Sequence, residues 1–230
     1  MSVAENIESL QDRIQRACQR SGRAVKDVRL IAVSKTKPAE AIRQAYGAGL
    51  REFGENRVQE AAAKRHELED LDIIWHLIGH LQSNKTKQAC RLFGWVHSVD
   101  SVHLAEKIDR EATALGRKMS ILIEVHLGQE ASKFGVEEDD LLRMAEKMAT
   151  MPSLELRGLM TLPPLFDDPQ DVRPFFRRLR ELAERVDARK LPGVGMRELS
   201  MGMSHDFEIA IEEGATIVRV GTAIFGERQR

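Results

Sequence analysis

Cysteine is scarce in this chain of 230 residues: Cys18 and Cys90 are the two, and neither belongs to a Cys-x-x-Cys pair. That excludes a disulfide framework and a thiolate zinc site, and makes a reducing, cytoplasmic setting the expectation. Excess charge of one sign is missing too. Lys+Arg number 35 against 36 Asp+Glu, a formal net charge of -1. That balance argues against nucleic-acid binding as the chain's main business. No run of about 18 apolar residues occurs, so no membrane-spanning helix is expected. The charged opening MSVAENIESLQDRIQ lacks the apolar region of a secretory signal. Proline- or serine-rich linkers, low-complexity segments and composition steps are absent as well.

What is there is an ordinary globular mixture, 42% hydrophobic and 31% charged. It is too apolar for a disordered chain, and its length suits one domain over residues 1–230. Val3, Ile7, Leu10, Ile14 and Ala17 recur at helical spacing, which predicts an opening amphipathic helix. Eight candidate strands follow, at 30–35, 51–56, 73–79, 95–101, 120–127, 154–162, 198–203 and 217–226, separated by seven charged, helix-like segments. Strand then helix, repeated, means a parallel sheet with helices on its faces. An open doubly wound sheet would use the same parts. Eight units and a spare N-terminal helix, free to fill the slot of the missing eighth outer helix, favour a closed (β/α)8 TIM-type barrel in the α/β class.

In such a barrel, chemistry collects at the C-terminal ends of the strands. Ile31, Val33 and Lys35 share one face of the first strand by period-two alternation. Lys35 then projects into the barrel mouth. A desolvated lysine has a lowered pKa, and a neutral amine attacks aldehydes to form a Schiff base. The same position also suits a lysine that snorkels to solvent. On the last strand, Ile217, Arg219 and Gly221 share a face. An arginine pointing inward needs an acceptor, because it cannot shed its proton. Gly221-Thr222 at that strand's end, and Ser200-Met201-Gly202-Met203-Ser204 after the seventh, describe an anion-binding rim. Loops seven and eight are the usual phosphate site of this barrel class. Asp206 is expected to open a helix beside it.

Strand eight neighbours strand one in a closed barrel. A ligand with an aldehyde at one end and a phosphate at the other would bridge Lys35 and that rim, and pyridoxal 5'-phosphate (PLP) is such a molecule. Arg219 would then face the pyridine nitrogen. A permanent cation there disfavours the pyridinium and weakens the ring as an electron sink.

At these residues the sequence resembles the pyridoxal phosphate homeostasis proteins, single-domain relatives of the barrel domain of alanine racemase. The resemblance runs through AVSKTKP (32–38), FGENRVQE (53–60), WHLIGHLQSNK (75–85), HSVDS (97–101), GLMTLPP (158–164) and LSMGMSHDFEIAIEEGATIVRVGTAIFG (199–226). It implies Lys35 as the Schiff-base lysine and Asn56 near the cofactor ring. It further implies Ser200, Gly221 and Thr222 as phosphate contacts and Arg219 as the pyridine partner. Met160 and Met201 are candidates to touch the ring, although core packing explains them too. One departure stands in VHLGQEASKFG (125–135): His126 replaces the family's Asn, while Glu130, Lys133 and Gly135 fit.

Racemases of this architecture resemble a two-base design, with a tyrosine from a second, β-rich domain facing the lysine. The sequence leaves no room for that domain after residue 226, and its one tyrosine, Tyr46, falls in a predicted helix. The expectation is therefore a monomeric PLP carrier that buffers or delivers the cofactor, with transient contacts to apo PLP-dependent enzymes and little or no turnover. The alternatives are a PLP-dependent amino-acid racemase or related fold-type III enzyme, and a Schiff-base aldolase with a phosphate rim. Visible absorbance would set the aldolase apart.

Other polar residues read more simply. His76 and His80 have the spacing of a helical metal pair but fall in a strand and its exit loop, with no third ligand. His205-Asp206 reads as a helix cap. Lys37, Lys85 and Lys87 read as solvated surface, and Lys133 as either surface or added positive potential. The run Arg177-Arg178-Leu179-Arg180 reads as an exposed helix face paired with Glu181 and Glu184.

Overall fold

The computed structural model describes residues 2–128 and 134–227. Its elements are α1 (Val3–Arg20), β1 (Arg29–Val33), α2 (Ala39–Gly47), β2 (Glu52–Glu55), α3 (Val58–Glu67), β3 (Ile74–Leu77), α4 (Thr86–Leu92), β4 (Trp95–Val99), α5 (Val102–Ala114), β5 (Met119–Glu124), α6 (Glu138–Met148), β6 (Leu154–Met160), α7 (Arg173–Asp187), β7 (Val194–Ser200), α8 (Phe207–Glu212), β8 (Ile217–Val220) and α9 (Thr222–Phe225). The strands pair in sequence order, all parallel, and β8 returns to β1 with Arg29 opposite Ile217 and Ala32 opposite Val220. The barrel is closed, as the sequence predicts.

The opening helix starts on a capping box, in which Ser2 and Glu5 satisfy each other's backbone N–H. It buries Ile7, Leu10, Ile14 and Ala17 and packs against α8, α9 and α2. That is the gap in the outer ring left by the four-residue α9. All eight strands differ from the sequence reading at one end or both, and β1 ends at Val33, so Lys35 lies beyond the strand rather than on it. β7 begins at Val194, earlier than 198. β8 stops at Val220, and Thr222–Phe225 turns helical. By Val220 the last strand has reached Ala32 near the end of β1, so little ladder remains for it to extend along.

Two apolar layers result. The larger lies between barrel and helices and holds Phe53, Phe93, Phe176 and Phe207. The smaller fills part of the barrel itself with Ile31, Leu122, Met160 and Ile217. Trp95 and Leu162 pack against it, and beside it the interior holds buried polar groups, His76, His97, Ser200 and Arg219, where barrels of this kind ordinarily stack branched aliphatics.

Candidate functional site

The first strand ends in a tight turn, with the N–H of Lys37 donating to Ser34 O at 3.0 Å. Lys35 is the second residue of that turn and is half-buried. Thr36 follows at φ 64°, the left-handed conformation that a type II turn ordinarily gives to glycine. Behind the turn lies a buried ion cluster. Lys64, on α3, donates to Ser34 O at 2.7 Å, Glu55 Oε1 at 2.7 Å and Glu60 Oε1 at 2.6 Å. Ser34 Oγ donates to Glu55 Oε1 at 2.6 Å, and the Thr36 N–H donates to Glu60 Oε1 at 2.5 Å. Burial pushes the Glu55 carboxyl up, only partly offset by Lys64 and Ser34. Burial acts on Glu60 in the same sense, but the bonds from Lys64 and Thr36 outweigh it and hold that carboxyl below its ordinary range.

On β8, Ile217 lies in the interior cluster while Val218 and Val220 face the outer core. Arg219 therefore points into the barrel and is 3% exposed. Its Nη1 donates to Ser200 Oγ at 2.6 Å and its Nη2 to Thr161 O at 2.9 Å. Burial pulls the guanidinium down to about 10, opposed by Asp206 and Glu124. A file of polar groups descends from it. Ser200 Oγ is 2.9 Å from His97 Nδ1, and His97 Nε2 is 3.0 Å from His76 Nδ1. His76 Nε2 stands 3.0 Å from Glu52 Oε2, close to the carboxylate though not aligned for a linear hydrogen bond. Arg29 closes the bottom, bridging Glu52 at 3.4 Å and Glu198 at 3.1 Å beneath the Trp95 ring. Burial holds both imidazoles down, His97 well below its ordinary value.

The rim after strands seven and eight is built from close approaches. A Cβ on Gly202, which sits at φ 89°, would come within 2.5 Å of Ala210 Cβ. One on Gly221 would press against Val33 O at 3.1 Å. Gly221 therefore lies beside the end of β1, two residues before Lys35. Thr222, exposed, opens α9, where the Ile224 N–H already donates to Gly221 O at 3.0 Å. The Ala223 N–H is taken by Ser204 Oγ at 3.3 Å, which ties the two loops together. Asp206 is the residue preceding α8, but its carboxylate accepts the Met203 N–H at 2.6 Å, closing the loop rather than capping the helix.

Lys35, Arg219, Gly221 and Thr222 thus gather at one end of the barrel. Asn56, half-buried, lies at the end of β2, and its backbone is covered so closely by Gly79 that a Cβ there would fall 2.5 Å from Asn56 O. Met160 is interior core beside Ile31 and Ile217. Met201 is fully buried in the outer core, away from the others. Ser200 turns its hydroxyl inward to Arg219 and His97 rather than outward to the rim. His126 is half-buried and its N–H donates to Val136 O; Glu130 and Lys133 lie outside the described residues.

Several functional-looking groups escape sequence reading. Glu124 ends β5 with 4% exposure, and burial with nearby Asp100 raises its carboxyl to about 7 against the pull of Arg219. His97 and His76 are inward-facing strand residues, and that parity was the available signal. His80 contacts Asp100 at 3.3 Å and stacks on Phe134. No metal-binding group of His, Cys, Asp or Glu occurs among the described residues. Lys37 is not loose surface: its Nζ donates to the carbonyls of Phe225, Gly226 and Glu227. The arginines of α7 reach mainly across helices, Arg178 to Glu138 and Arg177 and Arg180 to Glu213.

The alanine racemase N-terminal domain model matches residues 6–229. The chain is 47% identical over 229 residues to the pyridoxal phosphate homeostasis protein of Aquifex aeolicus, covering 100% of both. It is 46% identical to that of Pseudomonas aeruginosa, covering 99% of this chain and 96% of the relative. Among solved structures it is similar to PipY of Synechococcus elongatus PCC7942 with PLP bound, at a TM-score of 0.86 and 44% identity, covering 98% of this chain and 100% of that one.

Proposed function

This chain belongs to the alanine racemase N-terminal domain family, among the pyridoxal phosphate homeostasis proteins, and from that premise we propose that it binds PLP covalently through Lys35 and buffers or delivers it. The observation that carries the reading is the seam between β1 and β8. Gly221 lies against Val33, so the lysine turn and the Gly-Thr rim are neighbours, with the buried Arg219 below them.

The residues fit the cofactor. Gly202 and Gly221 let the two rim loops close on α8 and on the end of β1, where a Cβ would collide, and the exposed Thr222 between them offers its hydroxyl to a phosphate. When bound, PLP supplies an aldehyde that an amine captures with loss of water. Lys35 provides that amine. Arg219 is fixed by Ser200 and Thr161 and would present a permanent cation to the ring nitrogen. It would keep that nitrogen unprotonated, which suits storage better than carbanion chemistry. Ser200 acts through Arg219. Asn56 and Met160 would border the ring.

A carrier rather than a racemase is supported by Tyr46. It sits in the last turn of α2 with Arg51, from the start of β2, over its ring at 3.8 Å. That is the end of the barrel opposite Lys35, so this tyrosine is no second base. No described helix is long and apolar enough to cross a membrane. Both cysteines are free and buried, which fits a reducing cytoplasm. We place the protein there as a monomeric, single-domain carrier meeting apo PLP-dependent enzymes transiently.

The test is a visible spectrum with PLP before and after borohydride, followed by peptide mapping. Label at Lys35, lost in Lys35→Ala, is the expected result. Full-yield trapping in Lys35→Ala, or amino-acid racemisation faster than about 1 per second, overturns the reading.

A further inference from the structure

The turn that holds Lys35 is an unfavourable one. Thr36 is β-branched and sits at φ 64°, a region such side chains rarely enter. Conformations of this kind persist where the surroundings over-determine them. Here they do. The residue before Lys35 is held twice, at Ser34 O by Lys64 and at Ser34 Oγ by Glu55. The residue after it is held at its N–H by Glu60. Lys64 spends all three of its N–H donors, on Ser34 O, Glu55 and Glu60, so the two anchors are one unit.

Its burial makes the arrangement informative. The Lys64 side chain is 8% exposed and that of Glu55 is 0%. Apolar side chains of similar volume commonly stabilise a fold as well as a buried ion pair does, or better. What apolar packing cannot do is hold a backbone carbonyl and a backbone N–H on either side of one residue.

We propose that Lys64, Glu55 and Glu60 are positioning residues for Lys35. Their triad, buried at Lys64 and Glu55 and half-buried at Glu60, locks Ser34 and Thr36 and so aims the intervening amine at the aldehyde carbon of a bound phosphorylated aldehyde. The proposal rests on the carrier reading. In the step it serves, the Lys35 nitrogen bonds to the carbonyl carbon, the nitrogen's two protons leave with the carbonyl oxygen as water, and a C=N bond remains. Lys64 makes no bond to the ligand.

The test separates capture from binding. One arm measures, by stopped flow, the rate of borohydride-reducible adduct formation with PLP. The other measures affinity for 4'-deoxypyridoxine 5'-phosphate, which has the ring and phosphate but no aldehyde. In Lys64→Met, capture is expected to slow by about tenfold or more while analogue affinity stays within about twofold. Lys64→Arg keeps a cation with enough donors and is expected to recover most of the rate. Glu60→Ala removes the Thr36 acceptor and leaves the Lys64–Glu55 pair, so it slows capture in a folded protein even if Lys64→Met does not fold. Wild-type capture rates in Glu60→Ala and in any folded Lys64→Met overturn the clamp. So does a parallel loss of analogue affinity, the mark of a merely structural role. Wild-type protein that forms no reducible adduct sinks the carrier reading itself, and the clamp with it.

Discussion

Arg219 Nη1 donates to Ser200 Oγ at 2.6 Å inside the barrel, at the head of a polar file whose direction is set from its other end by Glu52. Glu52, a carboxylate, only accepts, so His76, 3.0 Å away, turns Nε2–H toward it. Burial holds both imidazoles down and neutral, so His76 Nδ1 accepts from His97 Nε2–H, and His97 Nδ1 accepts the Ser200 proton while the Ser200 oxygen accepts from Arg219. Reversing the file would set a bare imidazole nitrogen against that carboxylate.

Ser200→Ala therefore leaves an unsatisfied donor on Arg219 and an unsatisfied acceptor on His97. A loss of about 1–3 kcal/mol is expected, read from the urea midpoint at unchanged slope. Affinity for 4'-deoxypyridoxine 5'-phosphate should fall little, since the hydroxyl faces the interior. A large drop in that affinity in a folded variant would put Ser200 at the phosphate after all.

The same file makes stability depend on pH on the acid side. The folded imidazole pKa of His76 and of His97 lies below the unfolded value of about 6.5. The unfolded chain then binds more protons than the folded one as pH falls below that value. Stability is full above it and declines toward the folded pKa, by up to about 1.4 kcal/mol per pH unit for each histidine. Urea unfolding from pH 7.5 to 5.0 should show this slope, and His97→Gln should reduce it by about one proton. An unchanged slope in His97→Gln would mean that other groups carry it.

The frame of the site was legible because two periodicities converge on it. Period-two alternation puts Arg219 on an inward face, and closure of eight units makes its strand the neighbour of the one that leads to Lys35; Lys35 itself lies beyond Val33, in a turn rather than on the strand where alternation has it. Gly221-Thr222 follows from the same placement. The interior file was not legible. His97 is 21 residues from His76 and 103 from Ser200, and each looks like an isolated polar strand residue until the barrel closes. Lys64 hid for a different reason. On α3 it has the spacing of a solvated cation paired with Glu60 four residues earlier, and only the depth of β2 beneath that helix turns it inward. Ser200 and Met201 show the limit of adjacency: neighbours in a motif, they face opposite layers.

Glu124 limits stability from the alkaline side, by the opposite sign. Its folded pKa is raised to about 7 from an ordinary 4.5, first by burial and then by Asp100, against the pull of Arg219. A raised carboxyl binds its proton more tightly in the folded state. The stability so gained is full below about 4.5 and is lost as pH climbs through 7, levelling off above. A shift of this size corresponds to about 3 kcal/mol. Glu124→Gln keeps the shape and removes the titration. It should match wild type near pH 4, draw ahead from about pH 5, and be more stable at pH 8.5 by up to that amount. Denaturant titrations at the two pH values decide it, and two proteins whose curves stay parallel from pH 5 to 8.5 would show that Glu124 ionises without penalty. With the histidines acting from below, wild type should then be most stable between about pH 6 and 7, with Glu124→Gln extending that maximum to higher pH only.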